Sequence, residues 1–137
     1  RTVVREALTA LPDGDRLCHG DFHPDNVLVG EKDWILDWLN GMCSHPAGDV
    51  ARTVILIRTG AIPPETPRHI QSIMNRLRTN FKEQYVQYYL QFSGLKYEEI
   101  GNWMLPVAAA RLGEPVSKEE QAQLLDIIRE RLNGDCL

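Results

Sequence analysis

Residues 18 to 38 read CHGDFHPDNVLVGEKDWILDW and bring His19, Asp21, Asn26 and Asp37 into one short segment. Carboxylates accept protons and bind hard cations, and an amide oxygen is a neutral ligand of the same hard type. The spacing becomes meaningful once local structure is considered. NVLV and WILDW are β-favouring apolar runs separated by Gly30, Glu31, Lys32 and Asp33, which predicts a hairpin with a four-residue turn. Symmetric pairing about that turn sets Val29 against Trp34, Leu28 against Ile35, Val27 against Leu36, and Asn26 against Asp37. Asn26 and Asp37 are then expected to share one face as a cross-strand pair, with Cβ atoms about 5 Å apart. Side by side, the two suit magnesium, which takes few protein ligands and completes its shell with water and phosphate oxygens. Asp21, in the loop before the first strand, is placed to reach the same mouth.

His19, Asp21 and Asn26 also stand at the intervals of the kinase catalytic loop H-R-D-x-x-x-x-N, and Asp37 stands where a second metal-binding aspartate belongs. Together HGDFHPDNVLV, ILDW, HPAGDVAR and the later WMLPVAAARL resemble the aminoglycoside phosphotransferase and choline kinase-like family, over almost the whole chain. The resemblance implies a helical C-terminal lobe of a protein kinase-like fold. It implies that Asp21 is the catalytic base or hydroxyl-orienting group and that Asn26 and Asp37 bind magnesium beside ATP. His19 and Asp49 resemble residues that brace the loop, and His23 matches a common family histidine whose role is open. Asp25 is read as a solvated loop acid.

Gly20 stands where many protein kinases carry an arginine, Trp38-Leu39 stands where they carry Phe-Gly, and no A-P-E follows. A small-molecule hydroxyl is therefore the expected acceptor: an aminoglycoside, a choline-like amino alcohol or a sugar-like compound. The chain contains no Gly-rich loop and no strand lysine ahead of the motif, parts that belong to an N-terminal lobe. With its first residue Arg1 rather than Met, the chain reads as the C-terminal lobe of a longer enzyme. Alone it is expected to be inactive, to bind nucleotide weakly and to self-associate through the exposed lobe interface.

The elements that must hold these residues are mostly helical. Val3, Val4, Ala7, Leu8 and Leu11 recur at helical spacing before Pro12-Asp13-Gly14. Ser44 and Pro46 are the expected N-cap and first-turn proline of a helix through DVARTVILI, whose apolar end predicts burial, with His45 as a helix-opening residue. Thr66 and Pro67 open a long helix in which Ile70, Ile73, Met74, Leu77, Phe81, Tyr85, Tyr88 and Phe92 hold a three-or-four spacing, its aromatics being read as core rather than a cofactor box. Tyr97, Ile100, Trp103, Met104, Val107 and Ala108 mark a helix expected to kink or break near Pro106. Ser117 and Glu120 form a capping-box pattern ahead of Leu124, Leu125, Ile128 and Leu132. The expected organisation is one domain over 1–137, with the catalytic loop and metal hairpin in 18–39 and a helical remainder over 44–134.

Composition bounds the alternatives. A chain of 137 residues with 43% hydrophobic content can bury a real core, and a net charge of −4 offers no clustered basic face for nucleic acid. No apolar run is long enough to span a bilayer, so a cytoplasmic location is expected. Cys18, Cys43 and Cys136 have no regular spacing and read as reduced thiols. Two other readings compete with catalysis. Cys18, His19, His23, Cys43 and His45 could be drawn into a zinc site, but they lack paired ligand spacing. A kinase-like lobe retained as a non-catalytic binding scaffold is the other, and the intact Asp21, Asn26 and Asp37 argue against it.

Overall fold

In a computed structural model, residues 2–134 are described, and Cys136 lies outside them. The chain begins with helix α1 (Thr2–Thr9) and continues through strands β1 (Arg16–Cys18), β2 (Val27–Leu28), β3 (Trp34–Ile35) and β4 (Met42–Ser44). Four helices follow: α2 (Pro46–Thr59), α3 (Arg68–Ser93), α4 (Tyr97–Arg111) and α5 (Lys118–Leu132). The architecture is mainly α with small antiparallel ladders. One ladder, β2 with β3, is the expected hairpin; the other joins β1 to β4 with Arg16 opposite Ser44 and Cys18 opposite Met42. The second ladder was not foreseen, because RLC and MCS are too short to show an alternating pattern. It closes the base of the segment that carries the candidate site.

The hairpin register departs from expectation by one residue. Val27 pairs with Ile35 and Leu28 with Trp34, so five residues, 29–33, make the connection instead of four. Asp33 explains the longer turn, since its carboxylate accepts from the Gly30 N–H at 3.4 Å and draws Asp33 into the bend. Asn26 is consequently opposite Leu36, whose N–H donates to the Asn26 carbonyl at 2.8 Å. The proposed cross-strand pairing of Asn26 with Asp37 is therefore corrected.

The core lies where α2 packs on α4 and α4 on α5, with α3 beside α2. Val50, Val54 and Ile55 of α2, Ile100 and Met104 of α4, and Leu124 and Ile127 of α5 are fully buried. Gly48 sets the approach of α2 to α4: a Cβ there would come within 2.9 Å of the Trp103 ring. The burial expected for DVARTVILI is observed. Its cap is His45 rather than Ser44, for the His45 ring accepts from the Ala47 N–H at 3.2 Å while Ser44 belongs to β4. Pro106 neither breaks nor ends α4, which runs unbroken to Arg111; the buried ring costs the helix one backbone donor, and packing outweighs that loss. Ser117 caps α5 by accepting from the Glu120 N–H at 3.1 Å, but the Glu120 carboxylate turns away to Arg111 and Thr59. The α5 stripe is buried at Leu124, whereas Leu125 and Leu132 are exposed.

The largest correction concerns α3. Of its 26 residues only Val86 is fully buried and Tyr85, Tyr89 and Leu90 pack partly buried against the core, while Ile70, Ile73, Leu77, Phe81, Tyr88 and Phe92 are exposed. Helical periodicity marks an apolar face but cannot say whether anything covers it. A second exposed apolar region lies around the hairpin, at Leu28, Val29, Trp34, Ile35, Trp38 and Leu39. Among the described residues no helix is long and apolar enough to cross a membrane.

Candidate functional site

The site is built on a backbone clamp. Asp49, in the first turn of α2, accepts from the His19 N–H at 2.9 Å with one oxygen and from the Gly20 N–H at 2.7 Å with the other. Hydrogen bonds to a charged acceptor are among the stronger kind, and these two fix the loop to the buried helix. Gly20 is required at this point: its φ is +75°, and a Cβ would lie 2.5 Å from the Asn40 carbonyl oxygen. An arginine, or any side chain, is excluded there by the local backbone.

His19 is buried and uses both ring nitrogens. Nδ1 faces the Asp21 N–H at 3.2 Å and must accept, so Nε2 carries the hydrogen and donates to the Leu36 carbonyl at 2.8 Å. Trp38 packs on the ring at a centroid distance of 4.5 Å. The Leu36 peptide is thus tied on both sides, its N–H to Asn26 and its carbonyl to His19. The residue that follows is Asp37. Its backbone is left-handed at φ 57° and ψ 67°, the sole non-glycine residue with positive φ among those described. Such a conformation costs energy for a residue with a Cβ, and tolerated strain of this kind is concentrated at functional positions. Asp37 therefore leaves the strand path at once, and its direction is set by this turn rather than by alternation.

Asn26 closes a one-turn helix that begins at Pro24. Its Nδ2 donates to the Asp21 carbonyl at 2.9 Å and lies 3.2 Å from His23 Nε2. These bonds fix the amide orientation and leave Oδ1 as the atom available to a cation. The Asp21 carboxylate is partly buried, with Arg52 Nη2 3.7 Å from Oδ1 and His23 Nε2 3.7 Å from Oδ2. Both neighbours stand beyond hydrogen-bond length. Asp25 is almost fully solvated, 3.7 Å from His23 Nδ1, in keeping with a loop acid.

Arg52 went unassigned in the sequence, although it closes the quoted HPAGDVAR; three residues after Asp49 on a helix, it was placed to share Asp49's face. Its guanidinium donates to both oxygens of Glu114, at 2.6 and 3.1 Å, and Arg111 joins Glu114 to Glu120. The arginine contacts hold the Glu114 carboxyl below the ordinary carboxylate range, that of Arg52 foremost. Nearby, burial pushes the Cys18 thiol up, with Asp49 adding to the effect, so it is a poor nucleophile. Cys18 and Cys43 are both free.

The donor set agrees with a hard cation held by two groups, an amide oxygen and a carboxylate, rather than by a protein cage. Among the described residues no three His, Cys, Asp or Glu side chains are grouped to hold a metal. The imagined zinc set is also spent elsewhere, with His19 bonded at both nitrogens and His45 capping α2 and stacked on Trp103.

Beyond the loop, Phe22 stacks on Tyr85 of α3 at a centroid distance of 5.9 Å. An open groove of about 550 Å³ runs from His23, Pro24 and Asp25 between α2 and α3, lined by Leu56, Ile57, Leu77, Arg78 and Phe81.

The chain matches the phosphotransferase enzyme family (APH) over residues 1–103, which contain the clamp, the hairpin and α2 and α3. No curated protein and no solved structure matches the chain. The match spans most of the chain and includes every residue assigned to the site, so the chain belongs to the phosphotransferase enzyme family.

Proposed function

We propose that residues 2–134 form the catalytic, C-terminal lobe of a kinase-like enzyme that transfers the γ-phosphoryl group of ATP to a hydroxyl of a small molecule. The observation that carries this reading is the double tether of Leu36. Through it the loop bearing Asp21 and Asn26 and the turn bearing Asp37 are held as one unit. Asn26 Oδ1 and the Asp37 carboxylate are the groups assigned to magnesium, which when bound would neutralise phosphate charge. Asp21 takes the hydroxyl proton as the acceptor oxygen bonds to phosphorus, and the bond from phosphorus to the bridging oxygen breaks to release ADP. His19 and Asp49 hold the loop, and His23 helps fix the Asn26 amide. The groove beginning at His23 is assigned to the acceptor, whether aminoglycoside, choline-like amino alcohol or sugar-like. ATP and this acceptor are the assigned partners, and a cytoplasmic setting suits both.

A Gly-rich phosphate-covering loop and its lysine have to be supplied by a second lobe, for which the exposed apolar residues of the hairpin region are the assigned seat. Residues 1–137 alone then bind Mg-ATP no better than about millimolar by titration calorimetry, roughly 4 kcal/mol. Micromolar binding by a monomer of this chain would contradict the two-lobe reading. The catalytic assignment is tested in the assembled enzyme by Asp21→Asn. Turnover over pooled hydroxyl compounds should fall by about 100-fold or more while ATP affinity and melting temperature hold. Retained turnover removes Asp21 from the chemistry, whereas no turnover by the unsubstituted enzyme on any of the pooled compounds makes a binding scaffold the better reading.

A further inference from the structure

Glu114 lies in the turn between α4 and α5, outside the residues matched to the family, yet it reaches through Arg52 to the Asp21 carboxylate. We propose that Glu114 is a positioning residue that restrains the Arg52 guanidinium from closing on Asp21, so that the Asp21 carboxylate stays open to an acceptor hydroxyl. The proposal rests on the reading of Asp21 as proton acceptor.

The distances carry the argument. Arg52 spends both terminal nitrogens on Glu114 at 2.6 and 3.1 Å, and Nη2, the one that also faces Asp21, stays 3.7 Å from Oδ1. Nη2 keeps a second N–H, but a guanidinium held by both bonds to Glu114 cannot advance on Asp21 without breaking that fork. Arg52 is largely buried, and its Nε makes no hydrogen bond, so the two bonds to Glu114 are its main anchorage. Freed from Glu114, a desolvated guanidinium has strong reason to seek another carboxylate. Asp49, one turn earlier, already holds the His19 and Gly20 amides, which leaves Asp21. Glu114 is itself fixed by Arg111, and Arg111 by Glu120, so the stand-off at Asp21 is set by the α4–α5 corner.

The test uses the 137-residue chain labelled for NMR at arginine, aspartate and glutamate. In the original protein, Arg52 should show slow guanidinium rotation and hydrogen-bond couplings to the Glu114 carboxyl, unchanged by Asp21→Asn. In Glu114→Gln the couplings should move to the Asp21 carboxyl. In the double variant Glu114→Gln with Asp21→Asn, rotation should speed up by about tenfold or more, the scale of one charge-assisted hydrogen bond. If Glu114→Gln alone already rotates as fast as the double variant, Arg52 turns to solvent instead and the proposal is overturned. Fast rotation in the original protein overturns it as well. Should Glu114→Gln not fold, Glu114→Asp, which withdraws the carboxylate by one methylene, is read in the same way.

In the assembled enzyme, Glu114→Gln should lower kcat over pooled hydroxyl compounds with KM for ATP unchanged, and adding Arg52→Met should restore part of it. A further loss on adding Arg52→Met would mean that the corner acts only on stability. Turnover surviving Asp21→Asn would refute the base assignment while leaving the NMR result intact, so the two failures are distinguishable.

Discussion

Helices α2 and α3 both carry apolar residues at helical spacing, lie side by side, and meet opposite fates. Within the fourteen residues of α2, Val50, Ala51, Val54 and Ile55 are all but sealed from solvent, whereas the longer α3 buries Val86 alone. The difference lies in what surrounds them. Three helices contact α2, and α3 meets mainly α2. The buried helix also carries the site's supports: Asp49 holds the loop backbone and Arg52 faces Asp21. The exposed helix gives the site only ring contacts, through Tyr85 against Phe22, and one wall of the groove. Burial pushes the Tyr85 phenol up, so even this residue belongs to the packed side of α3. A helix pinned on several sides can hold a loop rigidly, while one resting on a single neighbour serves better as a wall.

The sharpest way to break this contrast is a matched pair of truncations. Ile55→Ala should cost about 2–5 kcal/mol in denaturant unfolding, because it opens a cavity in a fully enclosed position. Leu77→Ala, more than half exposed on α3, should stay within about 0.5 kcal/mol. Similar losses at both sites would mean that α3 is covered in solution.

The link from α2 to the loop is tested next. Asp49→Ala leaves the His19 and Gly20 amides without their acceptor and should cost about 1–3 kcal/mol. Amide hydrogen exchange should quicken at His19 and Gly20 and remain slow at Ile55. Uniform quickening would show that the loop and the core open as one unit.

Acid gives the smallest effect. The Glu114 carboxyl is held below its ordinary range in the folded protein, so its contribution is present above the unfolded value and is lost as pH falls through the folded one. Stability followed by melting from neutral pH into that acid range should fall less steeply in Glu114→Gln than in the original protein. Identical slopes would remove Glu114 from the pH dependence.

Much of the candidate site was legible before any coordinates. His19, Asp21 and Asn26, linked by hydrogen bonds, are close in sequence, so one loop is enough to gather them, while Asp37 follows the Leu36 peptide that is tied to His19 and Asn26. The helices were legible for the same local reason, from the Gly94 and Ser117 boundaries to the apolar run of α2. The register was not, because it turned on whether Asp33 joined the turn, a difference of one hydrogen bond. That single residue moved Asn26 from Asp37 to Leu36.

By itself, then, the sequence determined which residues could carry the chemistry and which segments are helical, since both follow from short-range chemistry and periodicity. Only the tertiary structure decided which apolar faces are covered, which backbone amides Asp49 holds and which acid opposes Arg52. Those outcomes depend on groups 30 and 62 residues apart in the chain, Asp49 with His19 and Glu114 with Arg52, whose meeting is fixed by how the helices pack.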